Sequence, residues 1–136
     1  MSINDVGKEG ERLARIILKN YFCVDDIFQA DWIISKNNEW YVIEVKHKAR
    51  FTAPPFDGHG LNAYQADMRL RFYKEKGIRC LLLVIDSETD EIFWGWLDVL
   101  EQGEKFTTKN GIRIYPITSY KTYKHKAPKE GAFSMP

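Results

Sequence analysis

The alternation of apolar and polar positions changes period several times along the chain, and each change predicts an element. Val6, Gly10, Leu13, Ala14, Ile17 and Tyr21 recur at helical spacing, which predicts a helix from Asn4 to roughly Asn20, capped by Asn4 or Asp5. Phe22 to Phe28 reads as a weak strand interrupted by Asp25-Asp26. Asp31 to Ser35 and Trp40 to Lys46 are two apolar-rich runs around Lys36-Asn37-Asn38-Glu39. Asparagine tolerates the positive φ of a two-residue type I′ turn, so these runs predict a hairpin. With Asn37-Asn38 as the turn, Lys36 faces Glu39, Ile33 faces Val42, and Asp31 faces Glu44.

Arg50 to Gly60 is expected to be a loop, broken by Pro54-Pro55 and Gly58-His59-Gly60. Leu61 to roughly Lys76 predicts a second helix, with Leu61, Tyr64, Met68 and Phe72 on one stripe and Gly77 ending it. Cys80 to Ile85 is a continuous apolar run after a helix, the pattern of a buried strand reached by a crossover. Ile92 to Trp96 is a further strand, Asp98 to Gln102 a short helix closed by Gly103, and Asn110-Gly111 a turn before Ile112 to Tyr115. The order α-β-β-β-α-β-β predicts an α/β fold, a mixed central sheet flanked by helices. One domain is expected over residues 1–120, followed by a basic tail over 121–136.

Composition narrows the class. The 136 residues are 44% hydrophobic and 29% charged, an ordinary globular balance. Cys23 and Cys80 lie in apolar contexts and form no CxxC pair, so they read as reduced core residues. No signal-peptide pattern opens the chain, and no apolar run approaches the ~18–20 residues of a membrane span. A cytoplasmic protein without membrane contact is expected. A net charge of +1 argues against a protein that coats nucleic acid non-specifically, yet suits local basic clusters beside metal-binding acids.

The chemistry concentrates in the hairpin. Like charges opposite one another on neighbouring strands are destabilising, and an unpaired carboxylate in an apolar strand is costly. Asp31 and Glu44 break both rules, and a divalent cation between them would resolve the conflict; magnesium takes one or two carboxylates plus waters and phosphate. Lys46 shares a strand face with Glu44, where a cation can orient a water or offset charge building on a phosphate. Gln65 on the second helix can offer its amide to the same place. Each signal has a plainer reading. Glu-x-Lys alone is a common surface pair, Gln65 can be a boundary residue, and Glu11 can be a solvated helix charge. His47 and His59 match no zinc spacing, and His47 should point away from Glu44.

Taken together, Asp31 and Glu44-Val45-Lys46 within this element order resemble the PD-(D/E)XK nuclease superfamily. Within it, Gly7 to Leu13, Phe51-Thr52 to Gln65, and Gly77 to Ile85 resemble Holliday-junction resolvases of the archaeal and RecU types. The resemblance implies a restriction-endonuclease-like αβββαβ core and magnesium- or manganese-dependent cutting of DNA, with branched DNA the substrate that the resolvase likeness implies. It also implies a homodimer, and metal ligation by Asp31, Glu44, the Val45 carbonyl and Glu11. Ala30 stands where the superfamily's name has proline, and Cys23 to Gln29 is too short for the RecU stalk. A restriction or repair nuclease, or a non-catalytic DNA-binding module, are the alternatives.

DNA contacts are expected in two places. One is the loop after the catalytic strand, through Arg50, Phe51 and His59. The other is the segment Tyr115 to Lys129, which carries Lys121, Lys124 and Lys126 with its tyrosines and has no acidic residue.

Overall fold

A computed structural model describes residues 3–25, 27 and 30–123, with residues 3–8 as backbone alone. The elements are α1 (Ile3–Asn20), β1 (Trp32–Lys36), β2 (Glu39–Lys48), β3 (Gly58–Asn62), α2 (Ala63–Lys76), β4 (Arg79–Asp86), β5 (Ile92–Trp96), α3 (Leu97–Gln102), β6 (Phe106–Thr107), β7 (Ile112–Pro116) and β8 (Lys121–Tyr123). A five-stranded sheet runs β1-β2-β4-β5-β8, and a three-stranded sheet runs β3-β7-β6. The larger sheet is mixed: β2 and β4 are parallel, and its other pairs are antiparallel. This is the expected α/β architecture with a mixed central sheet and flanking helices.

The β1–β2 hairpin has the expected register. Lys36 pairs with Glu39 and Ile33 with Val42. Asn37 and Asn38 have φ of 53° and 66°, the left-handed values a type I′ turn requires. Helix α2 closes on Gly77 at φ 74°, whose N–H donates to the Tyr73 carbonyl. The apolar run then enters β4 and pairs parallel with β2, with Cys80, Leu81, Leu82 and Val84 buried. The core gathers Val42, Leu82, Val84, Phe93, Leu97, Leu100 and Tyr115 between the sheets and helices.

Several expectations are corrected. No strand forms among the described residues of Phe22 to Phe28, where Cys23 takes φ 54°. Cys23 is exposed rather than a core residue, whereas Cys80 is buried. The third strand comes instead from Gly58-His59-Gly60, expected to break structure, which pairs antiparallel with β7. A side chain at Gly60 would collide with the Arg113 carbonyl oxygen, and one at Gly58 with that of Tyr115. Glycine here permits close backbone approach rather than a turn. Gly60→Ala is therefore expected to loosen the β3–β7 pair and lower stability by ~1–3 kcal/mol, the usual cost of overpacking. Urea denaturation would read this as a lower midpoint.

Of the stripe expected on α2, Phe72 packs against the core and Met68 is half-buried, whereas Tyr64 is exposed; Leu61 is buried but belongs to β3, and the helix also buries Ala66 and Arg69. On α1, Leu13 and Ile17 are exposed, as is Tyr21 just after it, while Glu11, Arg15 and Lys19 of this helix line openings shared with α2. The boundary expected after Tyr120 runs through structure: Tyr120 is buried, and Lys121–Tyr123 is an edge strand of the main sheet.

A buried polar knot joins the two sheets. Asp86 at the end of β4 meets His59 Nε2 at 3.1 Å and Arg50 Nε at 3.1 Å. It also accepts from the backbone N–H groups of Glu88 and Thr89. Burial pushes the Asp86 carboxyl up, but these donors more than reverse that and hold it at about 2. The folded value lies below the ~3.9 of an unfolded aspartate. Its stabilisation, about 2–3 kcal/mol, is therefore present above pH ~4 and lost as pH falls towards ~2. Urea midpoints taken across that window should fall more steeply for the wild type than for Asp86→Asn. Equal slopes would contradict this assignment.

Candidate active site

The site forms where β1 begins, beside the middle of β2. Continuing the hairpin register from Trp32–Ile43 brings Asp31 opposite Glu44. Asp31 lies just before β1, and its Oδ2 accepts the Val45 N–H at 2.9 Å. The side chain thus takes over where the strand ladder stops, and β2's main chain fixes its position. Asp31 is exposed, whereas Glu44 is 1% exposed.

Helix α2 covers this stretch of β2 with two residues one turn apart. Gln65 Oε1 accepts from Lys46 Nζ at 3.4 Å. Arg69 donates to Glu44, with Nε and Nη2 both 2.6 Å from Oε1. The spacing matches: residues i and i+4 on a helix lie ~6 Å apart along its axis, and i and i+2 on a strand ~6.6 Å. Glu44 and Lys46 on one face of β2 are thereby read by Arg69 and Gln65 on one face of α2.

A pocket of about 280 Å³ opens at this point, lined by Glu11, Asp31, Glu44 and Gln65 together with Arg15, Tyr64 and Arg69. Burial raises the Glu44 carboxyl above the usual range, Arg69 opposes this, and the charge on Asp31 pushes it further up. The two carboxylates therefore feel one another, as their cross-strand placement requires. Among the described residues, no three His, Cys, Asp or Glu side chains converge as a metal cluster. The acidic and amide groups that line the pocket all offer oxygen: the carboxylates of Asp31, Glu44 and Glu11, with the Gln65 amide beside them. That set fits a magnesium-like cation, which completes its shell with waters. The Arg69 contacts fall on a single oxygen of Glu44.

The structure brings Asp31, Glu44, Gln65 and Glu11 to one pocket, and Lys46 to Gln65. His47 is exposed. The loop residues behave differently. His59 is completely buried against Asp86 and Phe93, so it is no DNA contact. Arg50 turns inward, paired with Asp86 and with Glu91 at 3.2 Å, so its charge is already engaged. Phe51 is half-buried, bridges to Gly58 and stacks near Phe106 at 5.8 Å between ring centres. Lys121 is exposed, with its ammonium 5.3 Å from the centre of the Trp94 ring. Lys124 and Lys126 lie outside the described residues.

Arg69 is the residue that the sequence reading missed. Its signal was present, since it falls four residues after Gln65 and so shares that face of the helix. A basic residue beside Arg71 and Lys74 reads as solvated until the partner carboxylate is located.

No family model matches the sequence, and no curated protein matches it. Among solved structures the chain is similar to Hjc, a Holliday junction resolvase from the archaeal hyperthermophile Archaeoglobus fulgidus. That likeness has 14% identity and a TM-score of 0.47, covering 82% of this chain and 87% of the other. It is also similar to D212, a nuclease from a fusselovirus, at 11% identity and a TM-score of 0.42, covering 86% of this chain and 81% of that one. At such identities and TM-scores below 0.5, neither likeness decides what this chain does.

Proposed function

We propose that this chain is a metal-dependent endonuclease that hydrolyses DNA phosphodiester bonds at Asp31, Glu44 and Lys46. The observation that carries the reading is the convergence of two mutually repelling carboxylates, one of them buried, with a lysine one strand step away. Asp31, Glu44, the Val45 carbonyl and Glu11 are the residues that would hold the cation. When bound, magnesium or manganese supplies a polarised phosphate oxygen and a more acidic water. Asp31, fixed by the Val45 N–H, orients the ligand set. Lys46, held near Gln65, places positive charge where the attacked phosphate gains negative charge. Branched DNA is the proposed substrate and a homodimer the proposed assembly, in accord with the exposed apolar residues of α1.

A second reading has its own observation. The buried Arg69–Glu44 pair already neutralises Glu44, as it would in a non-catalytic DNA-binding module. Magnesium separates the two. In the nuclease, added magnesium should raise the thermal midpoint and start cleavage in a panel of junction, flap, duplex and single-stranded DNA. In the module, neither should change.

A further inference from the structure

Glu44, Lys46 and Lys48 occupy alternate positions of β2 and so share one face, ~6.6 Å apart along the strand. The first two belong to the site already described, and the third does not. Helix α2 engages Glu44 through Arg69 and Lys46 through Gln65. Lys48 lies one step further on, at a cavity walled by residues of β3 and β7.

Lys48 is half-buried, yet among the described residues no carboxylate stands within ion-pair reach of it. The acid beside it in the sheet register, Asp86, is taken by His59 and Arg50. Burial and the neighbouring Lys46 charge push the Lys48 ammonium below its ordinary pKa, with no opposite charge to draw it back. A half-buried cation beside a like charge is costly in the free protein. An anion from outside would relieve both the burial and the repulsion.

The cavity at Lys48 has a volume of about 410 Å³, within the range of ligand sites. Among the described residues, no acidic side chain lines it. Phe51, Ile112 and Ile114 give it an apolar wall. Thr108 and Asn110, from the turn before β7, add a hydroxyl and an amide. The Thr108 hydroxyl accepts from the Ile112 N–H, which leaves its own proton to donate. An ammonium, a hydroxyl and an amide are donors of the kind that phosphate oxygens accept from, and the apolar wall suits the sugar between phosphates. The step from Lys46 to Lys48 is one that neighbouring phosphates of a strand can match.

We propose that this cavity is a phosphate subsite, in which Lys48, Thr108 and Asn110 hold the backbone phosphate next to the one attacked at Lys46. The subsite rests on the nuclease reading for its ligand. It grips backbone rather than base, so it acts on duplex and branched DNA alike.

The test is binding in EDTA, without cleavage, of a fluorescein-labelled duplex and a labelled four-way junction over a salt series. Lys48→Met should reduce the slope of log affinity against log salt by about 0.9, the share of one phosphate, on both probes. The affinity gap between wild type and variant should therefore narrow roughly threefold between about 50 and about 200 mM salt. Lys48→Arg should keep the wild-type slope. The thermal midpoint of Lys48→Met without DNA should not fall, which separates a lost contact from a damaged fold. Asn110→Asp sets a carboxylate at the same cavity from an exposed turn and should weaken binding by repulsion. An unchanged slope in Lys48→Met, or wild-type affinity in Asn110→Asp, would overturn the subsite, as would a loss confined to one probe. A reduced slope without any magnesium-driven cleavage by the wild type would leave the subsite standing and remove the nuclease reading. Cleavage by the wild type with an unchanged slope in Lys48→Met would do the reverse.

Discussion

Arg69→Ala is expected to destabilise the protein by about 3–5 kcal/mol, the cost of leaving one member of a buried ion pair alone. Arg69 and Glu44 are nearly solvent-free and meet at 2.6 Å, so water cannot replace the lost partner. For a chain of this size the thermal midpoint should fall by roughly 10–25 °C. Glu44 can shed part of the cost by taking up a proton, which its raised pKa favours. The double variant Glu44→Leu with Arg69→Met should recover most of the loss, because apolar replacement of a whole buried pair is often neutral or better. A loss below ~1 kcal/mol for Arg69→Ala, measured by urea denaturation, would contradict the pairing. The same pair changes what Glu44→Ala means. Two carboxylates viewed alone suggest that removing one relieves repulsion; with Arg69 present, Glu44→Ala strands a buried guanidinium, and Glu44→Gln is the cleaner probe of chemistry.

Lys46→Met is expected to slow magnesium-dependent cleavage by ~10²–10³-fold under single-turnover conditions, the scale of losing one electrostatic contact to a transition state. Its ammonium lies on the Glu44 face of β2 and reaches Gln65 at 3.4 Å, and under the nuclease reading that is where positive charge would offset the attacked phosphate. DNA affinity should change little, since a single phosphate contact contributes modestly to a binding surface. A variant that loses affinity but cuts bound DNA at the wild-type rate would make Lys46 a binding residue only.

The hairpin was legible because local chemistry and global packing agree there. Asn37-Asn38 dictates the turn, the turn dictates the register, and the register puts Asp31 opposite Glu44. The buried β4 and the Gly77 helix stop were legible for similar reasons, an apolar run and a left-handed cap. What escaped depends on partners distant in sequence. Gly58 and Gly60 look like breakers until β7 lies against them, and only then is their missing side chain a packing requirement. His59 looks like an exposed loop histidine until Asp86 and Phe93 enclose it. Arg69 looks solvated until Glu44 is placed under it. The expected helix–strand order survived with one substitution: the strand expected over Phe22 to Phe28 is absent, and β3 supplies the third.

In the proposed nuclease, Asp31 and Glu44 together hold the cation on which DNA cleavage depends. Asp31→Asn tests this most directly, because the asparagine amide oxygen can still accept the Val45 N–H while the charge is gone. The measurement is cleavage of a four-way junction, a flap, a duplex and a single strand by wild type and variant, with magnesium and with EDTA. The wild type should cut at least one substrate with magnesium and none with EDTA. Asp31→Asn, with an unchanged thermal midpoint in EDTA, should fall by ~10³-fold or more. Near-wild-type cleavage by Asp31→Asn, or equal cleavage by the wild type in EDTA, would contradict it.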